Sequence, residues 1–332
     1  MGRSANTPPS TRRKNRVVVV TKQTAYQRRV EEQRDPRAIQ LMEQGDPTVN
    51  RWLQAHQDHQ RTLEEVERHL SQLGAKIWRV EGPFARFDAQ DAQMVVTVGG
   101  DGTLLAASHH VGAATPILGI NSSPDSSVGF FCAGQASGNL KDLLTLAWEG
   151  ALPSVCLARM QIAINGRIRS RRVLNEALFC HAIPAATSSY LVAVVEQSAG
   201  AELPKPNLEA EEAQRSSGFW VGTAAGSTAA IRSAGGKVLP FSSRRLQLVV
   251  REPYVGLGPA YELVRVVLQE GQAVMVRSKM DRACVFVDGP FERYAVTLGD
   301  VVTFKVSDEP LTVLGLKPRR EVADVEQLMS QR

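Results

Sequence analysis

Val95-Val96-Thr97-Val98-Gly99-Gly100-Asp101-Gly102-Thr103-Leu104-Leu105 reads as a strand that runs through a glycine turn straight into a helix. The apolar run at 94–98 lacks polar alternation, as expected of a strand covered on both faces. Residues 104–110 open the helix, and 116–120 supply another buried strand. Strand, helix and strand in that rhythm predict a parallel α/β sheet. The turn suits phosphate, because glycine tolerates positive φ and lets a ligand touch bare backbone, while the first N–H groups of a helix point at an anion. Gly99, Gly100, Gly102 and Thr103 are therefore candidate binding residues. Bound phosphates repel a carboxylate, so Asp101 makes chemical sense there if it takes a proton from an attacking hydroxyl or helps hold Mg²⁺. A plainer account makes Asp101 and Thr103 helix caps. Asn121, at the carboxyl end of the next strand, belongs to the same crevice by parallel-sheet geometry, or else forms a turn.

Working outward, the four valines within 16–21 predict one more buried strand. Residues 31–73 have helical composition, and Leu63, Val66, Leu70 and Leu73, spaced by three and four, predict one amphipathic helix that stops at Gly74. A further helix is expected at 140–148. Beyond Gly150 the texture changes to strands separated by turns, at 161–164, 190–195, 219–222, 246–250, 273–276, 283–287, 301–306 and 311–316. That run describes a β-rich second domain. Residues 199–217, with two prolines and several acids, read as an exposed loop or hairpin tip. The organisation expected is a disordered basic tail at 1–15, an α/β domain at 16–150 and a β-rich domain from 151.

A chain of 332 residues, 43% hydrophobic and 22% charged, is long enough for two ordinary globular domains. The net charge of +5 does not point to nucleic acid, because Arg3, Arg12, Arg13, Lys14 and Arg16, all within residues 1–16, account for all of it. No stretch approaches the roughly 18 apolar residues of a membrane-spanning helix, so no membrane association is expected. Cys132, Cys156, Cys180 and Cys284 lie far apart without a Cys-x-x-Cys pairing, which argues against zinc and disulfides and fits a reducing, cytoplasmic compartment. His56 with His59, and His109 with His110, read as solvated faces; Trp52 and Trp78 read as packing residues.

Two further stretches carry chemistry. Val173-Leu174-Asn175-Glu176-Ala177-Leu178-Phe179 embeds an amide and an acid in an apolar run. Both are costly to bury unpaired, and the vicinal hydroxyls of a ribose would satisfy them; a polar turn between short strands is the alternative. Phe219-Trp220-Val221-Gly222-Thr223-Ala224-Ala225-Gly226-Ser227-Thr228-Ala229-Ala230 is a strand, a loop of small residues and a helix. Small side chains let a purine or ribose lie against the backbone, with Ser227 and Thr228 as hydroxyl donors or caps, or they allow tight helix-to-sheet packing.

Taken in order, Gly99-Gly100-Asp101-Gly102-Thr103, Gly119-Ile120-Asn121, Asn175-Glu176, Gly226-Ser227-Thr228-Ala229 and Val287-Asp288-Gly289 resemble the NAD kinase family. The likeness spans about 16–316, and Val20-Thr21-Lys22, the 121–125 stretch and Ser216-Ser217-Gly218 look most similar to its mitochondrial-type branch. The resemblance implies a cleft between the two domains, a segment at 301–332 that returns to the first domain, and ATP, with Mg²⁺, as donor to the 2′-hydroxyl of the adenosine ribose of NAD. It makes Asp101 the catalytic carboxylate, puts ribose at Asn175 and Glu176, and puts adenine near Thr228, Ala229 and Ser233. It also implies a homodimer or homotetramer. Three features depart from the usual pattern: Ala224 and Ala225 replace a Pro and a Thr, Ala230 replaces an aromatic that would stack on adenine, and Ser217 stands where most members have Asp. A lipid or sugar kinase of the GGDG type and a non-catalytic NAD-binding sensor are the rival readings.

Overall fold

The computed structural model describes residues 15–316 except 83–84, 126, 137, 197–210, 255, 257–259 and 290–291. The expectation of a disordered tail falls on residues outside that set. Parallel strands β1 (Arg16–Thr21), β2 (Lys76–Glu81), β3 (Met94–Gly99) and β4 (Ile117–Asn121) lie in the order β2-β1-β3-β4, with β5 (Cys132–Gln135) also on β4. Every residue of β3 and β4 is buried, as the unbroken apolar runs required. On one face, Leu63, Val66 and Leu70 of α2 (Trp52–Gln72) and Leu140 and Leu144 of α4 (Leu140–Glu149) pack on the valines. On the other, Leu104 and Ala107 of α3 (Asp101–Ser108) do so.

The single helix expected from residue 31 is broken into three. A π-helical turn (Gln27–Glu32) precedes α1 (Pro36–Glu43), and α2 begins only at Trp52. Gly45, at φ +66°, and Pro47 interrupt the helical path. Asp35 starts α1 by accepting the N–H groups of Arg37 and Ala38.

The chain leaves the first sheet after β6 (Ser154–Leu157) and builds two antiparallel sheets. One has the order β11-β10-β15-β18-β7-β8, using β7 (Met160–Ile164), β8 (Arg167–Val173), β10 (Ser188–Glu196), β11 (Glu212–Ser216), β15 (Gln272–Ser278) and β18 (Val301–Val306). The other is β14-β13-β12-β9-β16-β17, from β9 (Glu176–His181), β12 (Phe219–Gly222), β13 (Gln247–Val250), β14 (Arg265–Val267), β16 (Ala283–Val287) and β17 (Glu292–Val296). Their inner faces share one core, in which the Phe219 ring stacks on Phe179 at 5.1 Å and meets Tyr190 and Phe304 edge-on. The architecture is the expected one, a parallel α/β sheet followed by a β-sandwich. Of the stretch read as a loop or hairpin tip, 199–210 lies outside the described residues and 212–216 is a strand paired with β10.

After β18 the chain crosses back, and β19 (Leu311–Leu314) slots between β4 and β6. Arg159 holds this crossing. Its buried guanidinium donates to the carbonyls of Glu309 and Pro310 on one side and of Ser108 and Val111, at the end of α3, on the other. A cation at a helix C-terminus satisfies carbonyls that the helix leaves unpaired. The site helix is thereby tied to the second half of the chain.

Candidate functional site

Gly99 ends β3 in register with Asn121 at the end of β4. None of Gly99, Gly100 and Gly102 adopts positive φ. What the turn needs from glycine is room: a Cβ on Gly99 would overlap the Thr103 side chain, and one on Gly100 would overlap Ser127. Gly100 caps α3 with no side-chain bond, and Thr103 is buried against Gly99, so the helix-cap account of Asp101 and Thr103 does not hold. Asp101 instead accepts one backbone N–H on each carboxylate oxygen, from Phe130 at 2.9 Å and Phe131 at 2.8 Å. Two charge-assisted bonds fix its orientation and leave each oxygen a free lone pair. Asn121 is buried; its Nδ2 donates to Ser127 O at 3.0 Å and its Oδ1 accepts from Ser123 N at 3.1 Å. It shapes the loop that covers the turn, as the turn reading has it, and its amide is engaged within the protein.

The second component is the corner between β8 and β9. Asp288, at φ +46°, accepts the backbone N–H groups of Leu174 (2.8 Å), Asn175 (2.8 Å) and Glu176 (3.1 Å), and its own N–H donates to Glu176 O. His109, at the end of α3, reaches the same carboxylate through Nε2 at 2.9 Å and Glu292 through Nδ1 at 3.1 Å. Burial disfavours its imidazolium, yet Asp288 and then Glu292 outweigh that and hold its pKa above the ordinary value. His109 thus ties the end of α3 to two carboxylates of the β-sandwich and is not a solvated residue. Asn175 Oδ1 and Glu176 Oε2 are buried and find no hydrogen-bond partner among the described residues. Burial, then the charge of Asp288, pushes Glu176 up to about 8, so it carries a proton at neutral pH and can donate as well as accept.

The corner meets the turn through packing. Leu174 and Ala225 share a buried cluster with Leu104 of α3 and with Phe131, whose N–H is bound to Asp101. The small-residue loop is fitted to the corner: Thr223 N donates to Asn175 O at 2.9 Å, and a Cβ on Gly226 would collide with the Asn175 backbone. Ser227 is turned inward, donating to Ala224 O and accepting from Leu239 N. Thr228 and Ala229 are half-buried at the end of a 3-10 turn, and the helix that follows is only Ala230–Ser233. Ala230 and Ser233 are exposed on the rim of a cavity of about 770 Å³, also lined by Trp220, Arg251 and Arg265. Sequence reasoning passed over Trp220, the aromatic on the strand leading into the loop, as well as Asp288 as a clamp and His109 as a strut. The acid in the Val287-Asp288-Gly289 motif was the available signal for the clamp.

Residues 13–145 match the model of the ATP-NAD kinase N-terminal domain. A protein of Oryza sativa subsp. japonica named "Probable NADH kinase" is 33% identical over 67% of this chain and 70% of its own length. The NADH kinase of Arabidopsis thaliana is 32% identical over 80% of this chain and 86% of that protein. A crystal structure of an NAD kinase from Archaeoglobus fulgidus in complex with ATP matches in fold, with a TM-score of 0.63 over 96% of this chain and 99% of that one at 19% identity. These likenesses are to the family as a whole and not specifically to a mitochondrial-type branch.

Proposed function

The chain belongs to the NAD kinase family, and we propose that it transfers a phosphoryl group from ATP to the 2′-hydroxyl of the adenosine ribose of NAD. NADH is the specific alternative acceptor, because the two plant relatives carry the name NADH kinase. One observation carries the reading from the chain's own atoms: Asn175 Oδ1 and Glu176 Oε2 are buried without partners beside the glycine turn's core cluster. An orphaned buried acceptor costs about 1–3 kcal/mol, and ribose hydroxyls would relieve that cost at two adjacent positions.

In this reading Asn175 and Glu176 hold the ribose so that its 2′-hydroxyl meets Asp101. The oriented carboxylate takes or steers the hydroxyl proton as the phosphoryl moves in line, while the backbone of 99–103 receives phosphate oxygens. Asp101, with a free lone pair on each oxygen, is the residue placed to face Mg²⁺ carried by the donor, and the ion would offset charge on the phosphates. Thr228, Ala229 and Ser233 border adenine. Trp220, which lines the same cavity as Ala230, offers the flat surface that Ala230 cannot. A homodimer or homotetramer belongs to the same reading.

The test is direct. Purified protein with ATP and Mg²⁺ is offered NAD, NADH and a panel of lipid and sugar hydroxyls. Formation of NADP or NADPH is the expected result; phosphorylation of a lipid or sugar in place of either dinucleotide, or dinucleotide binding with no product, would remove the assignment.

A further inference from the structure

Lys22 follows β1 directly, Ser123 lies just beyond β4, and β3 runs between those two strands, about 4.8 Å from each. Lys22 Nζ donates to Ser123 Oγ at 3.1 Å. The lysine therefore crosses the carboxyl end of β3, where Gly99 begins the glycine turn. A second bridge spans the same gap. His59 is buried on the Leu63, Val66 and Leu70 stripe of α2, and its ring joins Thr21 Oγ1 to Ser122 Oγ, each at 2.8 Å. Burial, then the charge of Lys22, pushes His59 down to about 3, so a neutral imidazole donates to one hydroxyl and accepts from the other. Ser122 N in turn donates to Gly99 O at 2.9 Å. The ground under the lysine is thus rigid and uncharged.

Among the described residues the ammonium has no counter-ion. No ion pair to Lys22 occurs among the described residues, and Glu81, the carboxylate lining the adjoining recess of about 230 Å³, is paired with Arg79 at 3.0 Å. Burial alone lowers the Lys22 pKa; no acid opposes it. A half-buried cation without a counter-charge is destabilising. Next to an anion-binding turn, the missing partner is what an incoming phosphate brings.

We propose that Lys22 binds the phosphates of the phosphoryl donor, extending the glycine turn's backbone cradle with a full positive charge. The proposal rests on the kinase reading and deepens it, since Asn175 and Glu176 face the acceptor and leave the donor's charge unmatched. The experiment uses the full chain, Lys22→Met and Lys22→Arg. ATP kinetics at saturating dinucleotide are measured beside calorimetric titrations with inorganic tripolyphosphate and with NAD and NADH. In Lys22→Met, kcat/KM for ATP and tripolyphosphate affinity should both fall about 10- to 100-fold, the worth of a hydrogen bond to a charged group, with dinucleotide affinity within about twofold. Lys22→Arg should recover most of the loss. Unchanged donor kinetics and tripolyphosphate binding in a folded Lys22→Met protein would overturn the proposal, as would an equal loss of dinucleotide affinity, which marks a packing role. If the parent protein makes no NADP or NADPH, the kinase reading fails on its own, and the tripolyphosphate titration still decides for or against Lys22.

Discussion

The glycine turn and the β8–β9 corner solve opposite problems with the same residue type. Asp101 and Asp288 are both aspartates that collect backbone N–H groups, two at Asp101 and three at Asp288. Asp101 uses them to fix the orientation of a half-exposed carboxylate. Asp288 is buried by them and transmits rigidity to its neighbours, leaving Asn175 and Glu176 to end in unsatisfied atoms. The turn is complete without ligand and the corner is not. On the proposed function, orientation of the reacting group and affinity for the acceptor become separable properties of the two halves.

That separation can be broken experimentally. Asp101→Asn should lower turnover by about 10²- to 10⁴-fold, the usual size of general-base effects, while NAD affinity measured by calorimetry stays near the parent's. Near-normal turnover would remove Asp101 from proton transfer. Asn175→Ala should act the other way, weakening NAD binding by about 10-fold through a lost hydrogen bond to the ligand, with a smaller effect on the turnover of bound substrate. A variant that binds NAD normally but turns over slowly would move Asn175 to the catalytic side. Glu176→Gln sharpens the comparison through pH. Below its ordinary 4.5 both folded and unfolded protein hold the Glu176 proton; from there to about 8 only the folded state does. The parent should thus lose up to about 1.4 kcal/mol of stability per pH unit relative to the variant across that window. Urea unfolding at pH 5 and pH 8 checks this, and a constant difference between the two proteins would show that Glu176 titrates normally.

The parts legible in sequence were those whose burial leaves an apolar signature. Strands β1, β3 and β4 and the glycine turn are read from uninterrupted branched residues and bare backbone. Strands β2, β8 and β17 were missed because each carries exposed charges at the margin of its sheet, as in Lys76 and Arg79 or Arg167 and Arg169, which hide the period. His59 was misread although its spacing of four before Leu63 places it on the buried stripe; its polarity argued against a position that Thr21 and Ser122 make hospitable. The positive φ expected of the glycines is not found; close approach of Thr103 and Ser127 excludes a Cβ at Gly99 and Gly100. The clamp by Asp288 joins residues more than a hundred positions apart, and local pattern has no means of pairing them.

Leu311–Leu314 fills the gap between β4 and β6, and it is nearly the last described stretch of the chain to be synthesised. Until that stretch docks, Ile117 of β4 lacks its partner Val313, and the helix bearing Asp101 lacks the tether from Arg159 to the 309–310 carbonyls. Completion of the first sheet therefore waits on the segment that follows β18. A premature stop or proteolytic nick ahead of Leu311 would register as damage to the opposite end of the protein.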